Sequence, residues 1–231
     1  MRKAAIMQPY FLPYIGYFQL INAVDVFVLY DDVTYIKSGW INRNRILERE
    51  SWNYWTVPVR NASSNRLIKD IEFIRDWQKL LKTIQQNYGR TPYSVAVWNS
   101  LLLEIAGNQK LKTIADLNAY AIRKICDYLG IATIILRSSE LNGLKEGRVE
   151  KLVSICDNIG ADIYINAIGG KELYSKEMFK THGIDLYFLK TGKVEYRQAA
   201  DEFVPNLSIL DVLMYNSKDE IKKHLENYTL E

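Results

Sequence analysis

The sequence has little of what disulfide scaffolds, metal centres and membrane proteins depend on. It contains only two cysteines and two histidines, and it has no apolar run approaching the ~18 residues of a membrane span. Cys126 and Cys156 each lie inside an apolar periodic segment, which favours two buried thiols over a disulfide framework or a thiolate metal cage. We therefore expect no metal site, no membrane insertion and a location in the reducing cytoplasm.

Net charge is also small. The 30 Lys and Arg residues against 27 Asp and Glu residues give +3, and no five like charges follow one another. This balance offers no electrostatic basis for a nucleic-acid partner or a membrane-surface partner. Hydrophobic residues at 48% and charged residues at 25% match ordinary globular usage. The length favours one folded domain over residues 1–231 and leaves the oligomeric state open.

Two short apolar runs, separated by a helical pattern, open the chain. Residues 4–7, closed by Gln8-Pro9, predict a buried strand, and apolar spacings of three and four after Pro13 predict a helix. Residues 26–30 predict a second buried strand. The result is a βαβ unit whose strands are parallel and whose crossover is right-handed. Gln8 and Asp31-Asp32 should then share the carboxyl edge, where open α/β sheets bind ligands.

The middle of the chain interrupts this alternation. Residues 33–75 predict a β insertion with strands at 54–59 and 68–73, and residues 76–130 predict a helical subdomain with helices at 77–88, 93–106 and 113–129. Further on, the pattern predicts strands at 131–136, 162–166 and 184–189, helices at 148–159 and 175–181, and a helical pair from Ser208 to near Tyr228. The whole order predicts an α/β fold with a parallel, Rossmann-like sheet.

The turn after the first strand is the first candidate site. Gln8 and Tyr10 lie on it, ahead of a helix start whose free amides can bind an anion; the alternative is a proline-stiffened connector. The order strand, turn, helix, strand is similar to nucleotidyltransferases and adenylate-forming enzymes. Tyr14-Ile15-Gly16-Tyr17 keeps the glycine of their histidine-glycine-histidine motif, which would let a phosphate approach the backbone. Tyrosines replace both histidines, and a neutral tyrosine cannot offset triphosphate charge.

Three other segments carry polar residues at positions suited to chemistry. Asp31 and Asp32 leave the second strand at the ligand edge, where one carboxylate can act as a base or face a metal-bound nucleotide; a plain turn is the alternative. The segment 37–45 combines cations for phosphate, amides for hydroxyls and an indole for stacking, or else forms a solvated hairpin. Its candidates are Lys37, Trp40, Asn42, Arg43, Asn44 and Arg45. Ile168-Gly169-Gly170, with Gly169 as the candidate binding residue, follows the strand at 162–166, where a ligand can approach the backbone or the chain simply turns.

Several motifs together resemble the WbqC-like family. They are residues 7–18, Asp31-Asp32-Val33, Trp40-Ile41-Asn42-Arg43-Asn44, residues 55–59, 88–93 and 160–164, and Asn206-Leu207-Ser208-Ile209-Leu210-Asp211, all in the expected order. The last of these adds Ser208 and Asp211 to the candidate binding residues.

The resemblance implies a role in bacterial surface-polysaccharide (O-antigen) biosynthesis. It implies transfer of an aminoacyl group, such as glycyl, or another acyl group to the amine of a nucleotide-linked aminosugar. The partners would be that aminosugar and an amino acid or acyl donor, and ATP with magnesium is a candidate cofactor if the donor is activated on the protein. Two alternatives stay open: ATP-dependent nucleotidyl transfer with adenylate formation, and noncatalytic binding of a nucleotide sugar.

Overall fold

The chain begins with the predicted parallel unit. In the computed structural model, which describes all residues from Met1 to Glu231, strand β1 (Lys3–Met7) leads through helix α1 (Ile15–Asn22) to strand β2 (Val26–Leu29). β1 and β2 pair in parallel, with Ala4 opposite Val26. All four residues of β2 are buried, as expected for a strand covered on both faces.

The insertion after β2 contains one antiparallel hairpin. Its strands are β3 (Arg43–Glu48) and β4 (Ser51–Thr56), and Arg49 takes a φ of 57° in the turn between them. The predicted strand at 54–59 is wrong in its bounds, because Pro58 has no N–H to continue a ladder. The predicted strand at 68–73 is wrong, since Ile68–Asp70 is a 3₁₀ turn and its neighbours form only isolated bridges.

The predicted helical block follows the insertion. It consists of α2 (Trp77–Tyr88), α3 (Ser94–Val97), a π-helical segment (Trp98–Leu102), α4 (Leu103–Gly107) and α5 (Ile114–Leu129). α5 begins with a capping box, in which the Thr113 hydroxyl accepts from the Asp116 amide and the Asp116 carboxylate accepts from the Thr113 amide. α5 ends at Gly130, whose φ of 74° suits glycine.

Strands and helices alternate again in the second half. The elements are β5 (Ile134–Arg137), α6 (Arg148–Ile159), β6 (Ile163–Ala167), α7 (Lys176–Lys180), β7 (Asp185–Thr191), α8 (Ile209–Tyr215), α9 (Lys218–Glu226) and β8 (Tyr228–Leu230). The predicted elements here are confirmed to within a few residues. β8 was not predicted, because its three residues are half-buried or exposed and carry no apolar run.

The fold is mixed α/β with a mostly parallel central sheet. The strand order is β5-β2-β1-β6-β7-β8, and only β8 runs antiparallel to its neighbour. One face packs against α1, α5, α8 and α9, and the other face packs against α6 and α7. The strands are added on one side of β1 up to β5 and then on its other side from β6. A crevice therefore opens between the carboxyl ends of β1 and β6. None of the helices combines the length and apolar character that crossing a bilayer requires.

A buried ion pair joins β2 to β5 at this carboxyl edge. Asp31 is fully buried, and its carboxylate accepts from Arg137 Nε at 2.6 Å, from the Ser139 amide at 3.0 Å and from the Ser139 hydroxyl at 2.9 Å. Arg137 also donates to Asp116 at 2.8 Å, which ties the start of α5 to the same edge. Each oxygen of Asp31 thus has protein donors.

Replacing Arg137 with methionine tests the contribution of this ion pair to stability. Arg137→Met leaves the Asp31 carboxylate buried without its cation, and breaking such a pair costs about 3–5 kcal/mol of unfolding free energy. Urea denaturation measures the loss. Lys180→Met removes an exposed pair with Asp185 and should leave the midpoint nearly unchanged. An unfolding free energy for Arg137→Met within about 1 kcal/mol of the unmodified protein would contradict the assignment.

Candidate functional site

Three neighbouring cavities follow the carboxyl edge of the sheet. The largest, about 540 Å³ and here termed the crevice, has walls that include Gln8, Tyr10, Tyr30, Arg148, Asn166 and Gly170. The second, about 370 Å³ and termed the aromatic cavity, is lined by Met7, Tyr10, Pro13, Tyr14, Trp40, Asn44, Arg45 and Asn206. The third, also about 370 Å³, lies past the end of β7. Since Met7 and Tyr10 line both the crevice and the aromatic cavity, one extended ligand can occupy the two.

The turn after β1 forms the wall between these two cavities and is held in an unusual conformation. Leu12 has a φ of 39°, in the left-handed region that a bulky L-residue avoids at a cost of about 1–2 kcal/mol. Asn44 on β3 compensates by donating from Nδ2 to the carbonyls of Phe11 at 3.0 Å and Leu12 at 2.9 Å. Ser208 donates its hydroxyl to the same Leu12 carbonyl at 2.7 Å.

Helices α1 and α5 hold the rest of this turn. The Tyr17 hydroxyl donates to the Gln8 carbonyl at 2.9 Å, and Asn118 Nδ2 donates to the Pro9 carbonyl at 2.8 Å. The same Asn118 amide donates to the Ile41 carbonyl at 2.7 Å, so it joins the turn to the segment before β3. Asn118 was missed in the sequence, although a lone asparagine on the apolar face of α5 was a usable signal.

Arg45 is the most distinctive side chain of the aromatic cavity. Its guanidinium carbon lies 5.1 Å from the Trp40 ring centroid and 5.0 Å from that of Trp52. It forms no salt bridge, and its Nε is buried without a hydrogen-bond partner. A buried donor without an acceptor is costly unless a ligand supplies one. The cavity therefore presents an unneutralised cation that lies close to two indole rings.

The other candidates from the 37–45 segment take different positions. Trp40 lines the aromatic cavity, as its predicted stacking role requires. Asn42 is buried, accepts from the Tyr35 hydroxyl at 2.7 Å and donates to the Val57 carbonyl at 2.9 Å, so its amide is committed to the fold. Arg43 donates to the Ser38 and Gly39 carbonyls outside the cavity. Lys37 is exposed and lines neither cavity.

Neither predicted acid lines the crevice or the aromatic cavity. Asp31 is held by the Arg137 pair described above. Asp32 accepts from Lys151 Nζ at 2.9 Å and from the Ser138 hydroxyl, with its side chain largely covered. Their carboxylates fasten the ends of β2 and β5 and the start of α6 and are not open to a ligand.

Glycine positions also differ from the sequence expectation. Gly16 is buried, and a Cβ there would lie 2.4 Å from the Tyr14 ring and 2.7 Å from the Thr191 hydroxyl. Side chains thus close the first turn of α1 to an approaching phosphate. A Cβ at Gly169 would meet nothing, whereas one at Gly170 would lie 2.5 Å from Asn166 Nδ2. Of the two glycines, Gly170 is therefore the one packed against a neighbouring side chain.

The motif from Asn206 to Asp211 contributes a buried carboxylate whose hydrogen bonds stabilise the surroundings of the candidate site. Asp211 is fully buried and accepts from the Tyr88 hydroxyl at 2.9 Å, the Tyr196 hydroxyl at 2.6 Å and Gln198 Nε2 at 2.9 Å. Burial raises the pKa of Asp211 above its usual range, although the three donors act in the opposite direction. Tyr196 lines the third cavity, so Asp211 fixes a wall of that cavity and does not face a ligand itself.

The two asparagines of the hairpin offer a matched test of the turn. Asn44→Ala removes both donations to the turn after β1. The Leu12 carbonyl keeps its bond from Ser208, but the Phe11 carbonyl loses its donor, which should cost about 1–3 kcal/mol of unfolding free energy. Asn53, on the paired strand, is exposed and donates to exposed Glu48 at 2.8 Å. Asn53→Ala should change the unfolding free energy by no more than about 0.5 kcal/mol. Equal losses for the two variants in urea denaturation would contradict the role of Asn44.

Comparisons with known proteins agree over most of the chain. The model of the WbqC-like protein family matches residues 8–223. A relative from Mycobacterium tuberculosis (strain ATCC 25618 / H37Rv), named uncharacterized protein Rv1507c, is 31% identical over 219 residues, which cover 92% of this chain and 93% of the relative. No solved structure matches. The chain therefore belongs to the WbqC-like protein family.

Proposed function

We propose that this protein binds a nucleotide-linked aminosugar along the crevice and aromatic cavity and transfers an aminoacyl or acyl group to its amine. Family membership suggests a role in polysaccharide biosynthesis, and O-antigen assembly is the setting proposed here. We also propose that the sheet is Rossmann-like and binds its ligand where such sheets do, beside the central strand. The observation that carries the proposal is the unpaired Arg45 guanidinium in a cavity lined with aromatic side chains.

The chemistry of the cavity walls suits the parts of such a ligand. A guanidinium close to indoles and without a carboxylate partner is weakly hydrated, which favours a phosphate oxygen as its partner. Tyr10, Tyr14 and Trp40 supply flat apolar surfaces for a sugar ring. Asn166 and Asn206 bring amides to the walls, where sugar hydroxyls need partners.

The transfer step needs an activated acyl donor. The sugar amine attacks the acyl carbonyl carbon, the bond from that carbon to the leaving group breaks, and the amine proton departs with the leaving group. Tyr10 lies where the two cavities meet, and burial, with Tyr14 nearby, raises its pKa. A tyrosine hydroxyl carries its proton at neutral pH, so Tyr10 can donate to the developing oxyanion. Asp31 and Asp32 act in this proposal as positioning residues.

ATP with magnesium fits these residues poorly. The two carboxylates that would face the ion already accept from Arg137 and Lys151, and Tyr14 covers the first turn of α1. The described side chains contain no group of three or more His, Cys, Asp or Glu residues placed to hold a metal ion. The proposal therefore takes a donor that arrives already activated, and no step passes through ATP.

One observation favours a second candidate, binding of the nucleotide sugar without turnover. No carboxylate and no imidazole lines the crevice or the aromatic cavity, so neither supplies a general base of ordinary strength. The two candidates share the ligand and differ only in whether an amide forms.

Binding is tested first, with the purified protein and nucleotide-linked aminosugars in a thermal-shift assay and by calorimetry. A ligand at 100 times its dissociation constant should stabilise the fold by about 2.7 kcal/mol. Arg45→Met should weaken binding at least about tenfold, because charged hydrogen bonds to phosphate are lost. Exposed Arg90 lines neither cavity and gives the matched control, Arg90→Met. Equal affinity of the two variants would count against the proposed site.

Turnover is tested by mass spectrometry of the aminosugar nucleotide after incubation with thioester or adenylate donors. An amide product is expected, and Tyr10→Phe should lower kcat by about 10²-fold with little change in KM, since one oxyanion donor is removed. Tyr187→Phe, exposed on β7 and outside both cavities, should keep full activity. Binding without product from any donor would replace the transferase proposal by the noncatalytic one.

A further inference from the structure

An exposed aromatic and cationic surface continues outward from the aromatic cavity along the β3–β4 hairpin. Arg45 pairs with Tyr54 and Leu47 pairs with Trp52 in the antiparallel register, so these side chains share one face of the hairpin. Trp52 is 40% exposed and Tyr54 is 41% exposed. Their rings lie 5.2 Å apart in an edge-to-face arrangement. We call Trp52 and Tyr54 the hairpin platform.

Each ring of the hairpin platform contacts an arginine that lacks an acidic partner. Arg43 lies 4.0 Å above the Tyr54 ring centroid and Arg45 lies 5.0 Å from that of Trp52. Neither arginine forms a salt bridge. Two large exposed rings beside uncompensated cations are unusual on a surface without a ligand, and the combination complements a flat group attached to an anion.

We propose that the nucleobase of the nucleotide-linked sugar stacks on the hairpin platform while its diphosphate binds Arg45 and its sugar lies in the crevice and aromatic cavity. The inference rests on the proposed function and assigns the orientation of the ligand. Trp40 and Arg45 connect the aromatic cavity to the hairpin platform. Both residues line the cavity, Trp40 lies beside Tyr54, and Arg45 lies beside Trp52.

This orientation has a consequence for specificity. The backbone N–H and C=O groups of β3 and β4 lie in the plane of the hairpin, so the face that carries Trp52 and Tyr54 offers rings and few donors or acceptors to read a base edge. Stacking tolerates every base, since each has a π-face. The protein should therefore select its substrate by the sugar, with little discrimination among uridine, thymidine, guanosine and adenosine diphosphates.

Calorimetry with the four nucleoside diphosphates and with inorganic pyrophosphate tests the assignment. The four nucleotides should bind within about threefold of one another, and Trp52→Ala should weaken all four by about tenfold. Pyrophosphate has no base, so its affinity should be unchanged in Trp52→Ala and should fall in Arg45→Met. Unchanged pyrophosphate affinity in Trp52→Ala would show that the nucleotides lose affinity through lost stacking and not through a displaced Arg45. Trp52→Phe should restore most of the nucleotide affinity. Tyr187→Ala, an exposed ring on β7, is the control.

Unchanged nucleotide affinity in Trp52→Ala would overturn the inference, and so would a preference of tenfold or more for one base. If the intact aminosugar nucleotide still binds and reacts in that variant, the proposed function stands and only the orientation fails. If no aminosugar nucleotide binds the unmodified protein, the proposed function itself fails. The difference in tryptophan fluorescence between the unmodified protein and Trp52→Phe reports on Trp52. If an oligosaccharide, but no nucleotide, protects this signal from a soluble quencher, the hairpin platform binds a glycan and the inference is overturned.

Discussion

The left-handed conformation of Leu12 is the constraint on which the candidate site depends. A leucine in this region of backbone space is stable only when its surroundings over-determine it. Here the surroundings are hydrogen-bond donors from three remote parts of the chain: Asn44 in the hairpin, Asn118 in α5 and Ser208 before α8. Without that turn the wall between the crevice and the aromatic cavity would have no fixed position. The site is thus a product of tertiary structure, although the turn itself is local.

Because the turn after β1 depends on Asn44 in the hairpin, the β insertion is part of the candidate site and not an independent structural element. The hairpin that supplies Asn44 to the turn also supplies Arg45 to the aromatic cavity, one residue later on the strand and therefore on the opposite face. Asn44 holds the turn from one face of β3 and Arg45 extends from the other face, and both residues line the aromatic cavity. A register slip of one residue would exchange these roles and lose both.

The sequence predicted the parallel elements well because continuous apolar runs and helical spacing mark buried strands and amphipathic helices. It predicted the insertion poorly: β4 carries exposed aromatics such as Trp52, and Ile68 is buried by a 3₁₀ turn, so neither follows the strand pattern. Of the candidates in the segment 37–45, Trp40, Asn44 and Arg45 line the aromatic cavity. Asp31 and Asp32 were placed at the correct edge, but a sequence does not reveal that Arg137 and Lys151, more than 100 residues away, reach them.

Arg137 and Arg45 have different electrostatic surroundings, and this difference gives the two arginines different roles. Arg137 ends β5 beside two carboxylates and is neutralised, so its charge contributes to cohesion. Arg45 has indoles where Arg137 has carboxylates. Contacts with aromatic faces contribute about 0.5–2 kcal/mol each and hold a guanidinium in place without cancelling its charge. A cation kept charged beside a cavity attracts an anion more strongly than one already paired, since no internal carboxylate competes. The acids of this edge stabilise the scaffold, and Arg45, which has no acidic partner, faces the space where a ligand fits.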